Sequence, residues 1–283
     1  DAGGSWTPVN VIPGEEPPLQ QFAFTLTSDG KQVIALTGSR DGLVHRSTDG
    51  GRRYEAVGKL DGTVRSIVAI DDADSSTFLA ATQRGIFVSE DAGSEWSPLT
   101  RNVRNTTNLA VSPTFAEDGI AFAATREGLF TTRDGGATWS VVSAPTPLQM
   151  SFIEGVAVAP TFGDDGLVLA SARGHGLYRS TDGGRSFLPV GRDLGSAQLE
   201  LSNYANATAV PIVFSPTFAR DRTVFGYSNT TVVRSVDAGT TWKALDLPRA
   251  VHRQAEPAEA DPTLKPDREP ADSDTGPDVV AVT

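Results

Sequence analysis

Ser180-Thr181-Asp182-Gly183-Gly184-Arg185-Ser186-Phe187 is one of five copies of a single phrase, Ser/Thr-x-Asp-x-Gly-x-x-aromatic. The others begin at Ser47, Ser89, Thr132 and Ser235. They carry Asp49, Gly51 and Tyr54; Asp91, Gly93 and Trp96; Asp134, Gly136 and Trp139; and Asp237, Gly239 and Trp242. A sixth, shorter copy opens the sequence as Asp1-Ala2-Gly3-Gly4-Ser5-Trp6. Successive motif aspartates lie 48, 42, 43, 48 and 55 residues apart, the period of a four-stranded propeller blade.

Around the third copy the grammar of one repeat is plain. Asn108–Ser112 alternates as an inner strand, and Pro113–Gly119 is a turn. Ile120–Thr125 is a second strand, Arg126–Gly128 a tight turn, and Leu129–Thr132 a third strand. The aspartate phrase turns the chain again into Trp139–Val142. Short strands punctuated by Gly, Pro and Asp at even spacing read as all-β, and helical periodicity is essentially missing. Second strands are expected at 32–38, 77–82, 120–125, 167–172 and 223–228. Three first turns share nearly the same words, at Ser112-Pro113-Thr114-Phe115, Ala159-Pro160-Thr161-Phe162 and Ser215-Pro216-Thr217-Phe218.

The expected architecture is therefore an all-β propeller over residues 1–248. Its four-stranded antiparallel blades fall at about 22–60, 64–100, 107–143, 155–190 and 210–247, with a lone fourth strand at 6–10. This reads as a piece of a six- to eight-bladed ring. From Arg249 the composition turns to Pro, Ala, Asp and Glu, so 249–283 is expected to be an acidic, Pro-rich disordered tail or linker; its last residues, 278–283, are strand-like again.

Composition narrows the function classes. The chain has 283 residues and a formal charge of −11, the opposite of the basic field that marks a nucleic-acid binder. No apolar run approaches the ~18 residues of a membrane span, so no direct membrane insertion is expected of this segment. There is no cysteine, hence no disulfide framework and no thiolate chemistry. His45, His175 and His252 show no ligand spacing; neither a metal nor a cofactor is expected.

The aspartate phrase resembles the Asp-box, or BNR, repeat of sialidase-like propellers, sortilin-type receptor propellers and photosystem II assembly and stability factors, and the resemblance extends over nearly all of residues 1–247. It implies that the motif is structural. Physics agrees: an Asp between strands imitates a backbone turn by accepting amide hydrogens two or more residues on, while the Gly supplies a positive φ. On this reading Asp1, Asp49, Asp91, Asp134, Asp182 and Asp237, the glycines Gly51, Gly93, Gly136, Gly184 and Gly239, and Trp96, Trp139 and Trp242 hold the fold. One carboxylate per blade is not the single pair in one cleft that acid–base catalysis needs.

Strand alternation places the first-to-second turns and the aspartate turns on one face. The second-to-third turns and the blade crossovers lie on the other, where the resemblance puts binding chemistry. The long loops 11–21, 143–154 and 191–209 fall there, and long loops are disproportionately functional. So do Arg40, Arg84, Arg126 and Arg173 in the short turns, and Arg101, Arg104 and Arg192 in the crossovers, whereas Asp29, Asp118, Asp164, Asp165 and Asp221 collect on the aspartate-turn face. An arginine rim suits an anionic or carboxylate-bearing ligand, because guanidinium presents a planar fork of donors.

Two function classes follow. One is a non-enzymatic binding or assembly scaffold for a protein or glycan ligand. The other is a glycoside hydrolase. A sialidase, by the resemblance, needs three convergent arginines and a Tyr nucleophile with a Glu partner; Tyr204 near Glu200 is the tyrosine placed for it. A xyloglucanase-like enzyme needs two cleft carboxylates, and Glu15, Glu16, Glu154 and Glu200 lie on the crossover face, with Phe152 and Tyr204 as the sugar-stacking aromatics. The near-identical blades point to a bacterial protein, extracellular or at the cell surface, with the cytoplasm as the alternative.

Overall fold

The structure, a computed structural model, describes residues 19–26, 33–70, 76–142, 152–194, 212–227 and 232–245. The lone strand at 6–10, the tail 249–283, Tyr204, Glu15, Glu16 and Glu200, and most of the three long loops lie outside these residues.

Twenty strands form five four-stranded antiparallel sheets, each a meander in chain order. Blade 1 is β1 (Leu19–Leu26), β2 (Val33–Ser39), β3 (Leu43–Ser47) and β4 (Glu55–Lys59). Blade 2 is β5 (Val64–Ala69), β6 (Phe78–Thr82), β7 (Gly85–Ser89) and β8 (Ser97–Thr100). Blade 3 is β9 (Thr106–Val111), β10 (Ile120–Thr125), β11 (Gly128–Arg133) and β12 (Ser140–Val141). Blade 4 is β13 (Ile153–Val158), β14 (Val168–Ala172), β15 (Gly176–Ser180) and β16 (Leu188–Val190). Blade 5 is β17 (Ile212–Phe214), β18 (Val224–Tyr227), β19 (Val232–Ser235) and β20 (Lys243–Leu245). The chain is a partial β-propeller.

Each aspartate turn joins the third strand to the fourth and is wired alike in all five blades. The Ser or Thr hydroxyl donates to the Asp carboxylate, at 2.9, 2.8, 2.8, 2.7 and 2.7 Å from blade 1 to blade 5. It accepts the amide of the motif Gly at 2.8–2.9 Å. The carboxylate accepts the amide four residues on, at 2.9–3.0 Å. Trp96, Trp139 and Trp242 close the turn by donating Nε1–H to the carbonyl of Gly93, Gly136 and Gly239.

Helix was not expected, yet three one-turn helices occur: α1 (Phe115–Asp118), α2 (Phe162–Asp165) and α3 (Phe218–Asp221). They are the three Pro-Thr-Phe turns. The terminal Asp wraps back onto the hydroxyls before it, as Asp221 does to Ser215 at 2.7 Å and Thr217 at 2.8 Å. It also accepts the amide that starts the next strand, Ile120, Leu167 or Thr223. The buried Phe pins the turn to the core. A single turn is too short to leave a periodic signal in sequence.

The core is divided among the four joints between consecutive blades. One face of each sheet packs on the opposite face of the next: Leu36 and Val44 meet Ile67, Phe78 and Phe87, and Leu169 and Leu177 meet Ile212, Val224 and Val233. Side chains of the inner strands tie neighbours directly, since Ser66 Oγ accepts the Leu109 amide and Asn108 Oδ1 accepts the Val156 amide.

Candidate functional site

The two faces separate as strand order requires. On one, backbone bonds join each aspartate turn to a first turn: Gly135 N to Gly119 O, Gly183 N to Gly166 O and Ala238 N to Arg222 O. On the other, crossovers bond to second-to-third turns: Leu60 N to Gly42 O, Asn105 N to Gln83 O, Arg126 N to Asn105 O and Arg173 N to Phe152 O.

A feature of the crossover face had no signal in the sequence. Where four of the inner strands begin, the pairing skips one residue: Gln20 in β1, Arg65 in β5, Thr107 in β9 and Glu154 in β13. The equivalent of the fifth blade lies outside the described residues. A bulge unpairs one residue and re-aims its side chain. Here it turns a residue away from the alternation that buries Val64, Thr106 and Ile153. Thr107 uses this to place its hydroxyl on Ala124 O at 3.0 Å and on Ile153 O of the next blade at 2.9 Å.

Two of the four bulge residues are ionisable, Glu154 and Arg65, and Arg65 is the cationic one. Its guanidinium is half-buried, and burial, with the like charges of Arg126 and Arg40, holds its pKa below the ordinary arginine value. Blades 1, 2 and 3 each contribute one of the three. Among the described residues no carboxylate forms an ion pair with Arg40, Arg65 or Arg126.

Arg84, Arg101, Arg104 and Arg173 are already engaged. Arg84 Nε and Arg101 Nη1 share Asp61, at 3.3 and 3.5 Å, and all three are well exposed. Arg104 donates Nε–H to Arg101 O. Arg173 donates to Glu154 Oε1 at 2.8 Å and stacks 3.9 Å from the Phe152 ring centroid. Arg126 lies 5.4 Å from the same centroid, so one aromatic steadies two guanidinium groups. Arg192 is exposed and opens the 3-10 turn Arg192–Leu194, which Leu194 anchors in the core. The rim thus resolves into a bridged pair at Asp61, a stacked pair at Phe152, and the set Arg40, Arg65 and Arg126.

The sorting of charge by face is less clean than the sequence implied. Asp61 and the buried Glu154 belong to the arginine face, and Arg46, Arg133, Arg179 and Arg222 reach the aspartate-turn face. Strand residues alternate in side, so counting charges in turns alone misses them. No group of three metal-ligating side chains occurs among the described residues, and no helix there is long and apolar enough to cross a membrane.

No family model and no curated protein sequence matches this chain. Solved structures do. A structure of YCF48 bound to D1 peptide aligns with a TM-score of 0.58 at 18% identity, over 86% of this chain and 73% of the other. An ancestral GH74 enzyme gives 0.60 at 17%, over 85% of this chain and 32% of the other. The GH74 xyloglucanase of Xanthomonas campestris gives 0.54 at 20%, over 77% and 38%. The extracellular domain of a putative one component system, BT4673 of B. thetaiotaomicron, gives 0.58 at 14%, over 84% and 29%. At these identities the likeness is one of fold. The chain spans only about a third of the length of the two GH74 proteins.

Proposed function

We propose that the chain is a non-enzymatic binding or assembly scaffold and that its crossover face takes an anionic, carboxylate-bearing segment of a protein partner. The observation that carries this reading is that Arg65, turned out of the ladder by its bulge, feels the charges of Arg40 and Arg126 on the neighbouring blades, and that among the described residues none of the three forms an ion pair. Like charges held together disfavour one another, and a bound carboxylate relieves that repulsion through charge-assisted, bidentate hydrogen bonds. The Asp61 bridge adds two exposed guanidinium groups whose weak surface pairing an incoming anion displaces at little cost. The described structure of YCF48 with a peptide supports peptide binding as a use of this fold. In this reading the aspartate turns are Asp-boxes, and the protein works outside the cell or at the surface of a bacterium.

The glycoside hydrolase reading rests on the GH74 neighbours and on Glu154. That carboxylate is buried and bonded to Arg173 at 2.8 Å, and no second carboxylate is placed opposite it among the described residues, whereas glycoside hydrolysis needs a pair. The deciding experiment is titration of a fluorescent deca-glutamate peptide at low ionic strength. The double variant Arg65→Ala/Arg126→Ala should lose at least tenfold in affinity while Arg46→Ala/Arg222→Ala, on the far face, binds normally. Equal loss in both, or in neither, overturns the proposal; reducing sugar released from xyloglucan would favour the enzyme.

A further inference from the structure

The crossover from blade 1 to blade 2, Leu60 to Thr63, is the shortest of the four, and its main chain is pinned. Leu60 and Val64 at its ends are buried, and the Leu60 amide donates to Gly42 O at 2.9 Å. The Thr82 hydroxyl donates to Asp61 O and accepts the Arg84 amide, both at 3.0 Å. Gly62, at φ 100°, backs onto the Gln83 side-chain amide, which a methyl group there would meet at 2.8 Å. One hydroxyl thus ties the main chains of Asp61 and Arg84 together. On the next crossover, Arg104 donates Nε–H to Arg101 O at 3.1 Å, and the Arg101 guanidinium lies 5.9 Å from the Phe87 ring centroid.

On this frame Arg84 and Arg101 hold one carboxylate between them, each taking a different oxygen. Asp61 Oδ1 faces Arg84 Nε at 3.3 Å, and Oδ2 faces Arg101 Nη1 at 3.5 Å. The grip is slack. Charge-assisted N–H···O bonds settle at about 2.7–2.9 Å, and the other described ion pairs close to 3.1, 2.8 and 2.6 Å. Asp61 has a single methylene between its carboxylate and a pinned main chain, and it stops short of hydrogen-bonding distance to both arginines. All three side chains are 45–61% exposed, so the pair is open to a carboxylate from solution.

We propose that Arg84 and Arg101 form a second carboxylate subsite on the crossover face, and that Asp61 is its resident competitor. It deepens the binding reading above and rests on it for the acidic nature of the partner. In the free protein Asp61 keeps two like charges converged, where their repulsion would otherwise spread them. A glutamate of the bound segment has one more methylene and a main chain of its own to adjust. It closes to hydrogen-bonding distance on both guanidinium groups, and Asp61 turns out to water with its charge intact. One carboxylate replaces another, so occupancy is decided by fit and by local concentration. An isolated carboxylate competes poorly with a tethered side chain. A segment already held at Arg40, Arg65 and Arg126 presents its next carboxylate at high effective concentration. Asp61 thereby restrains the affinity of the face for acidic segments.

Titration with the fluorescent deca-glutamate peptide tests this through a gain of function, which misfolding cannot imitate. Asp61→Asn and Asp61→Ala should each bind the peptide at least fivefold more tightly than the unaltered protein. The gain should vanish in Asp61→Asn/Arg84→Ala/Arg101→Ala, which should bind no better than Arg84→Ala/Arg101→Ala. No gain in either Asp61 variant overturns the proposal. So does a gain of equal size without the two arginines, because that is the effect of net charge alone. The two readings fail separately. Weakened binding in Arg65→Ala/Arg126→Ala with no gain at Asp61 keeps the binding face and removes the subsite. A gain that needs Arg84 and Arg101, with Arg65→Ala/Arg126→Ala binding normally, keeps the subsite and removes the other set.

Discussion

Arg179 of blade 4 donates its Nε–H to the carbonyl oxygen of Ala238, in the aspartate turn of blade 5, across 2.8 Å. The guanidinium is half-buried, and burial lowers its pKa while Asp165 and Asp237 raise it. The bond therefore links two repeats through a half-buried charge.

Arg179→Met keeps the aliphatic stem and removes the donor. Hydrogen bonds to charged groups are worth about 1.5–3 kcal/mol, so urea unfolding should show a loss near the lower end of that range. Arg234→Met, on an exposed group, should change stability by less than ~0.5 kcal/mol.

The glycines of the aspartate turn are not equivalent. Ala92 and Ala238 occupy the position before the motif Gly at φ 56° and 58°, so that site tolerates a side chain. Gly135→Ala, with nothing within 4 Å, should cost about 1 kcal/mol of backbone strain. Gly184→Ala, at φ 76° with Phe122 at 2.4 Å, adds a steric clash and should cost several times more. Paired thermal melts decide between these outcomes.

Acid should unfold the chain late. Hydrogen bonds from Thr138 and Thr132 hold the Asp134 carboxyl at about 2. For Asp182, burial pushes upward, but bonds from Ser186, Ser180 and the Arg185 amide win and set it at about 2. Both folded values lie below the unfolded value of ~3.9. Their contribution is fully present above pH ~4, shrinks as the unfolded chain takes up protons, and is gone below pH ~2. Carboxyl ¹³C titration should give midpoints near 2 for both; midpoints near 4 would refute the wiring.

Glu154 carries a buried negative charge against Arg173. Removing one partner of a fully buried pair costs about 3–5 kcal/mol. Arg173 keeps 35% of its side chain exposed, so Arg173→Ala should cost less, about 2–3 kcal/mol. The double variant Glu154→Gln/Arg173→Met should recover part of that loss in equilibrium unfolding.

The propeller and the two-faced logic were legible because the repeat encodes them in turns, and turns have strong residue preferences. The second strand of blade 3, Ile120–Thr125, falls where the pattern puts it. The short helices were not legible, since Phe115–Asp118 is one turn fixed by side-chain bonds to Asp118 rather than by periodicity. Arg65 was missed for a related reason. It sits inside a strand, where alternation assigns it a side, and only the skipped pairing beside Thr82 redirects it. Phe152 was singled out as a platform for sugars, whereas the structure places two guanidinium groups against it.

The skipped residues at the start of the inner strands are chemically free of the ladder. Gln20, Arg65, Thr107 and Glu154 occupy one structural slot and are chemically unrelated. A slot released from sheet pairing is released from the demands of the sheet. What holds each side chain there is its own surroundings instead: Thr107 bonds two carbonyls across a joint, and Glu154 is buried against Arg173. In this chain the four repeats differ most in chemistry where the ladder leaves a gap.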